Sequence, residues 1–244
     1  DKMCRHSTYN YAFNNPLRFI DPDGMFSTEV IRNRDGTYTV RTAVADGDMS
    51  IYEVDENDER TGKVIGRTLT GRSFLNDQGN AVEGAVIDLS DRSGSDFLNN
   101  RIFGKGLGSF EYAWNATGGK TYDFKAEGAP GDKREWERHI YRAMSVSDVL
   151  GLATGDDGLP TIATARDVGN VAAGYVAGDN GLNWAQARFA FDLTESWQNA
   201  RILIEGQTTQ NAQLIGYKIG SDKFKKEHPV NSFIYPKQSP FPPK

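Results

Sequence analysis

The sequence predicts an α+β protein, with an antiparallel β-rich N-terminal half packed with a helical C-terminal half. Two observations predict it. Between residues 28 and 102, polar turn clusters recur at roughly ten-residue spacing between short β-branched runs, as in an antiparallel sheet or small barrel. After Gly131 the apolar period becomes helical, and no βαβ alternation joins the two parts.

The β half reads as a series of hairpins. Asp35-Gly36 separates Val30-Ile31 from Tyr38-Thr39-Val40, a short-range hairpin signal. Asp46-Gly47-Asp48 precedes Ile51, Tyr52 and Val54, and the polar run 56–62 precedes Val64-Ile65. Residues 76–80 form a further turn before Val82, Val86 and Ile87. Lys120 opens another alternating stretch, with Tyr122 and Phe124 on one side and Asp123 and Lys125 on the other.

Four helices follow. Residues 132–141 place Trp136 and Ile140 on one stripe, with Met144 continuing it. Residues 164–177 carry Val168, Val171, Ala172 and Tyr175 at helical spacing, and Asp179-Asn180-Gly181 ends the segment. Asn183 is the N-cap of a third helix that runs to about Gln198. The fourth spans 208–219 and is closed by Gly220. Beyond it, Pro229, Pro236, Pro240, Pro242 and Pro243 predict an extended or disordered tail. The chain divides into a segment 1–25, an α+β domain 26–222 (β-rich over 26–117, mostly helical over 118–222), and a Pro-rich tail 223–244.

Composition narrows the function. The 244 residues are 38% hydrophobic and carry a net charge of −5 with both signs interspersed, which disfavours coating nucleic acid by bulk charge. One cysteine, Cys4, excludes an internal disulfide. His6, His139 and His228 are too scattered for a zinc-thiolate pattern. No apolar run reaches the roughly 20 residues of a membrane span. The sequence therefore implies neither a metal nor another cofactor.

Three blocks can carry chemistry. Arg166, Asp167 and Asn170 open a helix otherwise made of small and apolar residues. Gly169, Gly174 and Gly178 cost that helix about 1 kcal/mol each against Ala, a cost that implies close approach of another backbone or of a ligand. Asp123 and Lys125 pair an acid or base with a cation able to stabilise an anion, or form an ordinary surface ion pair. Arg188, Asp192 and Glu195 share one helix face at a spacing that also suits a surface network. His139, flanked by Arg138 and Arg142, has the side chain suited to proton transfer near neutral pH, or is a packed or surface histidine. Gly118-Gly119-Lys120-Thr121 lacks the upstream glycine of a phosphate loop and precedes a strand, which excludes a nucleotide site of that kind.

Two resemblances give these blocks a context. The stretch Tyr9-Asn10-Tyr11-Ala12-Phe13-Asn14-Asn15-Pro16-Leu17, followed by Asp21-Pro22-Asp23-Gly24, resembles the closing segment of an RHS (YD-repeat) core. Gly119, Tyr122-Asp123-Phe124-Lys125, Asp167-Val168-Gly169-Asn170, Gly174-Tyr175 and Arg188 resemble the polymorphic toxin type 44 family, with Tyr122 and Phe124 where that family has Trp and Tyr. Together they imply a secreted or surface effector used against competing bacteria. They further imply an immunity protein as partner, and an RHS cage or delivery machinery if the chain is part of a longer protein.

The resulting expectation is a hydrolase acting on a cell-envelope component. Asp123, Lys125, Arg166, Asp167, Asn170 and His139 are its candidate catalytic residues, and Tyr122, Tyr175 and Arg188 would bind substrate. A nuclease toxin would instead use Lys218, Lys223, Lys225 and Lys226 against phosphates. A non-catalytic surface-binding module or an inactive remnant is the third alternative.

Overall fold

The structure is a computed structural model that describes residues 26–151, 158–199 and 207–229, with the backbone alone at 192–199 and 207–208. The RHS-like segment, Cys4, His6 and the prolines from Pro236 onward lie outside the described residues.

Four strands come directly from the predicted hairpins: β1 (Phe26–Arg32), β2 (Tyr38–Ala45), β3 (Ser50–Val54) and β4 (Arg60–Thr68). The Asp35-Gly36 turn is built as expected. Gly36 takes φ +90°, and the Asp35 carboxylate accepts the Thr37 N–H at 3.0 Å. Three short strands complete the sheet: β5 (Val86–Asp88), β6 (Ala143–Ser145) and β7 (Thr161–Thr164). The seven close into a barrel in the order β1-β2-β5-β6-β7-β4-β3. β1 pairs with β3 in parallel and with β2 antiparallel, so the sheet has no free edge.

The helices are α1 (Ser93–Phe97), α2 (Ser109–Asn115), α3 (Lys133–Ile140), α4 (Ser147–Leu150), α5 (Ala165–Asp179), α6 (Trp184–Asn199) and α7 (Gln207–Glu227). The α+β class is thus the observed one. Its mixing is finer than the sequence predicts, because β6 and β7 lie among the helices and seal the barrel from the C-terminal half.

Two apolar clusters hold the molecule. Val30, Val40, Ile51, Phe74, Ile87 and Ile162 fill the barrel. Phe97, Leu98, Tyr112, Phe124, Val168 and Tyr175 fill a second core under the helices. β6 joins them, since Ala143 belongs to the first and Met144 to the second, on opposite faces of one strand.

Four local expectations are corrected. The β reading of residues 93–102 gives way to α1 and a π-helical turn over Leu98–Ile102, where Phe97, Leu98 and Ile102 are too few to show a period. Met144 is not on the stripe of Trp136 and Ile140 but in β6, and α3 has no buried residue. The stretch from Lys120 is not a strand. Gly118 and Gly119 take φ of +67° and +73°, and a 3₁₀ turn covers Phe124–Ala126. Gly220 does not end its helix, for α7 runs on to Glu227, five residues into the span read as tail.

Gly220 instead belongs to a backbone contact between α5 and α7. A Cβ on Gly220 would lie 2.2 Å from the Tyr175 carbonyl oxygen, and one on Gly216 1.9 Å from that of Val171. Gly178 faces the Tyr217 carbonyl oxygen in the same way, at 2.4 Å. Glycine is the residue that lets two helices approach this closely.

Candidate functional site

Helix α5 starts at a capping box. Thr164 Oγ1 accepts the Asp167 N–H at 3.1 Å, and Asp167 Oδ2 accepts the Thr164 N–H at 3.2 Å. Both residues are fully buried. Asp167 therefore starts the helix and does not face a cleft. Burial pushes its carboxyl above the ordinary carboxylate value, against the opposing pull of Arg166 and of the Ser73 and Thr164 hydroxyls.

The cap sets the direction of the next turn. Arg166, Gly169, Asn170 and Ala173 form the wall of a pocket of about 150 Å³ between α5, α2, α6 and the turn at residues 122–125. That turn supplies Tyr122, Asp123, Phe124 and Lys125 together, which alternation on a strand would not do. Asp123 closes it: Oδ2 accepts the Gly119 N–H at 3.0 Å, and its carbonyl accepts the Ala126 N–H at 3.1 Å. Arg142 clamps it from the other side, donating from Nη2 to the Phe124 carbonyl at 2.9 Å and lying 4.9 Å from the centre of the Phe124 ring. Stacking of Tyr122 on Tyr112 and of Phe124 on Phe97 fixes the rings on either side of the carboxylate.

Several polar atoms at this pocket are buried without a protein partner. They are Ser109 Oγ, Asp123 Oδ1, Asn170 Nδ2, and both Nε and Nη2 of Arg166. Arg166 is held by its remaining nitrogen, Nη1, which donates to Tyr141 Oη and lies 3.6 Å from Asp77 Oδ1. Its guanidinium also sits 4.6 Å from the centre of the Tyr141 ring. Asp123 is 6% exposed and the Arg166 side chain 12%. A buried polar atom with no partner costs about 1–3 kcal/mol, and more when charged. Five such atoms on one small pocket mark a place built to receive polar groups from elsewhere. No ion pair joins Asp123 to Arg166 or Lys125 within 4 Å, so the charges have not cancelled each other.

The structure thus brings together Tyr122, Asp123, Lys125, Arg166 and Asn170. It does not bring in the other four candidates. Asp167 is in the helix cap. Tyr175 is buried and accepts the Gly104 N–H at 2.9 Å, a structural bond inside the helical core. Arg188 does not line the pocket; it donates to Oε1 of Gln213, which does, at 2.7 Å. His139 lines a separate groove with Glu135, Arg138 and Arg142. Its Nε2 lies 2.9 Å from both Arg142 Nη1 and the Glu127 carbonyl oxygen. Burial and the Arg142 charge lower its basicity. The side chains of Asp192 and Glu195 lie outside the described residues.

Ser109, Gln213 and Arg142 were not foreseen. Ser109 carries no sequence signal beyond following Gly108 at a helix start. Gln213 is detectable as a polar residue on the face that carries Ala212 and Gly216. Arg142 could have been found only from its reach to the 124–125 backbone.

Among the described residues, no group of His, Cys, Asp and Glu is arranged to hold a metal ion, and no helix is long and apolar enough to cross a membrane. No protein-family model, curated protein or solved structure matches the chain.

Proposed function

We propose that this chain carries the C-terminal effector of an RHS-type secreted or surface protein, and that the pocket hydrolyses a bond in a cell-envelope component. The observation that carries the hydrolytic reading is the buried Asp123 carboxylate. Its Oδ1 is unpartnered in an apolar pocket that also holds Lys125, Arg166 and Asn170. The biological context rests on the resemblances of residues 9–25 and of roughly 118–190.

In this reading Asp123 Oδ1 takes a proton from water as the water oxygen adds to the scissile centre. Negative charge then grows on the substrate oxygen, where Arg166, Lys125 and the Asn170 amide offer donors in a poorly solvated site. The proton returns from Asp123 to the leaving group, and the carboxylate is regenerated. Among the described residues Asp123 is the only acidic one lining the pocket, which argues against glycoside cleavage by paired carboxylates and for an ester, amide or phosphoester bond. A nuclease is disfavoured because Lys223 is committed to Asp179 at 2.6 Å and to Glu227 at 3.1 Å, and Lys225 lies 3.7 Å from Asp222.

The test is expression in a sensitive bacterium, with and without targeting to the periplasm, of the wild type and of Asp123→Asn. Growth arrest confined to the periplasmic wild type is expected. No arrest in either compartment, arrest only in the cytoplasm, or full toxicity of a folded Asp123→Asn would sink the reading.

A further inference from the structure

We infer that the pocket recognises an oxyanion borne on a small apolar body, gripped by the Nε–Nη2 edge of Arg166. The inference rests on the reading of this pocket as the substrate site, and it specifies what enters.

Three observations carry it. The first is the division of the Arg166 guanidinium. Nη1 is occupied by Tyr141 Oη and faces Asp77, whereas Nε and Nη2 are buried and unpartnered. Those two N–H groups point the same way and form the fork that two oxygens of a carboxylate or phosphate match. Tyr141 and its own bond to the Leu75 carbonyl oxygen (2.9 Å) hold the guanidinium from the far side, so the vacant edge is the one left for a ligand.

The second is the charge and donor inventory. Among the described residues Lys125 and Arg166 are the cations of the lining and Asp123 its one carboxylate, with Asp77 set against the Nη1 side of Arg166. Asn170 Nδ2 is a further buried donor without a partner. A carboxylate or a phosphodiester offers the paired oxygens that the Arg166 fork matches. Asp123 Oδ1 and Ser109 Oγ remain to accept an N–H or O–H from the same ligand.

The third is size and polarity. About 150 Å³ is the space of a benzene-sized group. Apart from Thr117 and Gln213 its remaining wall is apolar, with Ala113, Ala173, Val176 and Phe191 beside the aromatic rings. The pocket therefore takes one small apolar unit next to the anion, such as the terminal residue of a peptide or a short-chain phosphodiester. Arg166 Nε and Nη2 are shielded as the pocket stands, so engagement involves a rotamer-scale movement of the lining, of which Lys125 is an exposed member.

Calorimetric or NMR titration with N-acetylalanine and with dimethyl phosphate, each against chloride, tests this. Saturable binding of one of them to the wild type is expected, and the one that binds identifies the source of the oxyanion. Arg166→Lys keeps the charge but loses the fork, and should weaken binding about tenfold, the loss of one charge-assisted hydrogen bond. Asn170→Ala, which leaves the Tyr141 contact intact, should weaken it in the same direction with an unchanged melting temperature. Failure of both probes to bind, or equal affinity in wild type and folded Arg166→Lys, would overturn the inference. Arg166-dependent binding by a chain that is not toxic would uphold it and refute the effector reading instead.

Discussion

A Cβ placed on Gly174 would lie 1.8 Å from the carbonyl oxygen of Gln213. No side chain fits there, so α5 and α7 meet backbone to backbone at this point. The contact also sets the pocket, because Gln213 lines it and receives Arg188, while Asn170 and Arg166 follow one and two turns before Gly174 along the same side of α5.

Gly174→Ala should therefore separate the two helices and destabilise the fold by about 1–3 kcal/mol or more, read as a lower melting temperature. Gly169 lies in the same helix and lines the pocket, but nothing stands within 4 Å of its added Cβ. Gly169→Ala should raise stability by up to about 1 kcal/mol through helix propensity while narrowing the pocket and weakening ligand binding. Equal destabilisation by both substitutions would refute the assignment.

Thr164→Ala removes the acceptor for the Asp167 N–H and should cost about 1 kcal/mol, within a range of roughly 0.5–2. Thr164→Ser, which retains the hydroxyl, should stay near wild type in the same denaturation experiment.

Asp167 has a folded-state pKa above its ordinary value of 3.8. Between the unfolded and folded values the native state holds the extra proton, so this group makes stability fall as pH rises from about 3.8 through the folded value. Above that value the penalty is constant. Subtracting the pH–stability curve of Asp167→Asn from that of wild type should isolate this decline. A difference that rises with pH over the same window would contradict it.

Tyr175→Phe deletes the acceptor of the Gly104 N–H and should cost about 1 kcal/mol, with ligand affinity at the pocket unchanged. A variant of full stability with lost binding would return Tyr175 to the substrate-binding role that the sequence suggested.

What the sequence made legible was local. Asp132, Thr164 and Asn183 are short polar residues before helical runs, and each does cap: Asp132 Oδ1 accepts the Arg134 and Glu135 N–H groups, and Asn183 Oδ1 accepts that of Gln186. What it hid depends on partners distant in the chain. Residues 143–145 and 161–164 are too short to show a period, and become strands only because β5 and β4 offer them edges. Gly220 reads as a stop until α5 is beside it. The site was legible in residue type at Asp123, Lys125, Arg166 and Asn170, and misread in geometry, since an alternating stretch was a turn folded around its own carboxylate.

The barrel seam carries a consequence for how the protein is made. Thr68 pairs with Ile162, which is synthesised roughly ninety residues later, about 5–20 s at ~5–20 residues per second. During that interval the nascent strands have unsatisfied edges at β4 and β5, the surfaces most prone to pair with a neighbouring chain. A ribosome stalled before β7 would release an open sheet rather than a small stable domain. For this chain, completeness of translation and safety from aggregation are one condition.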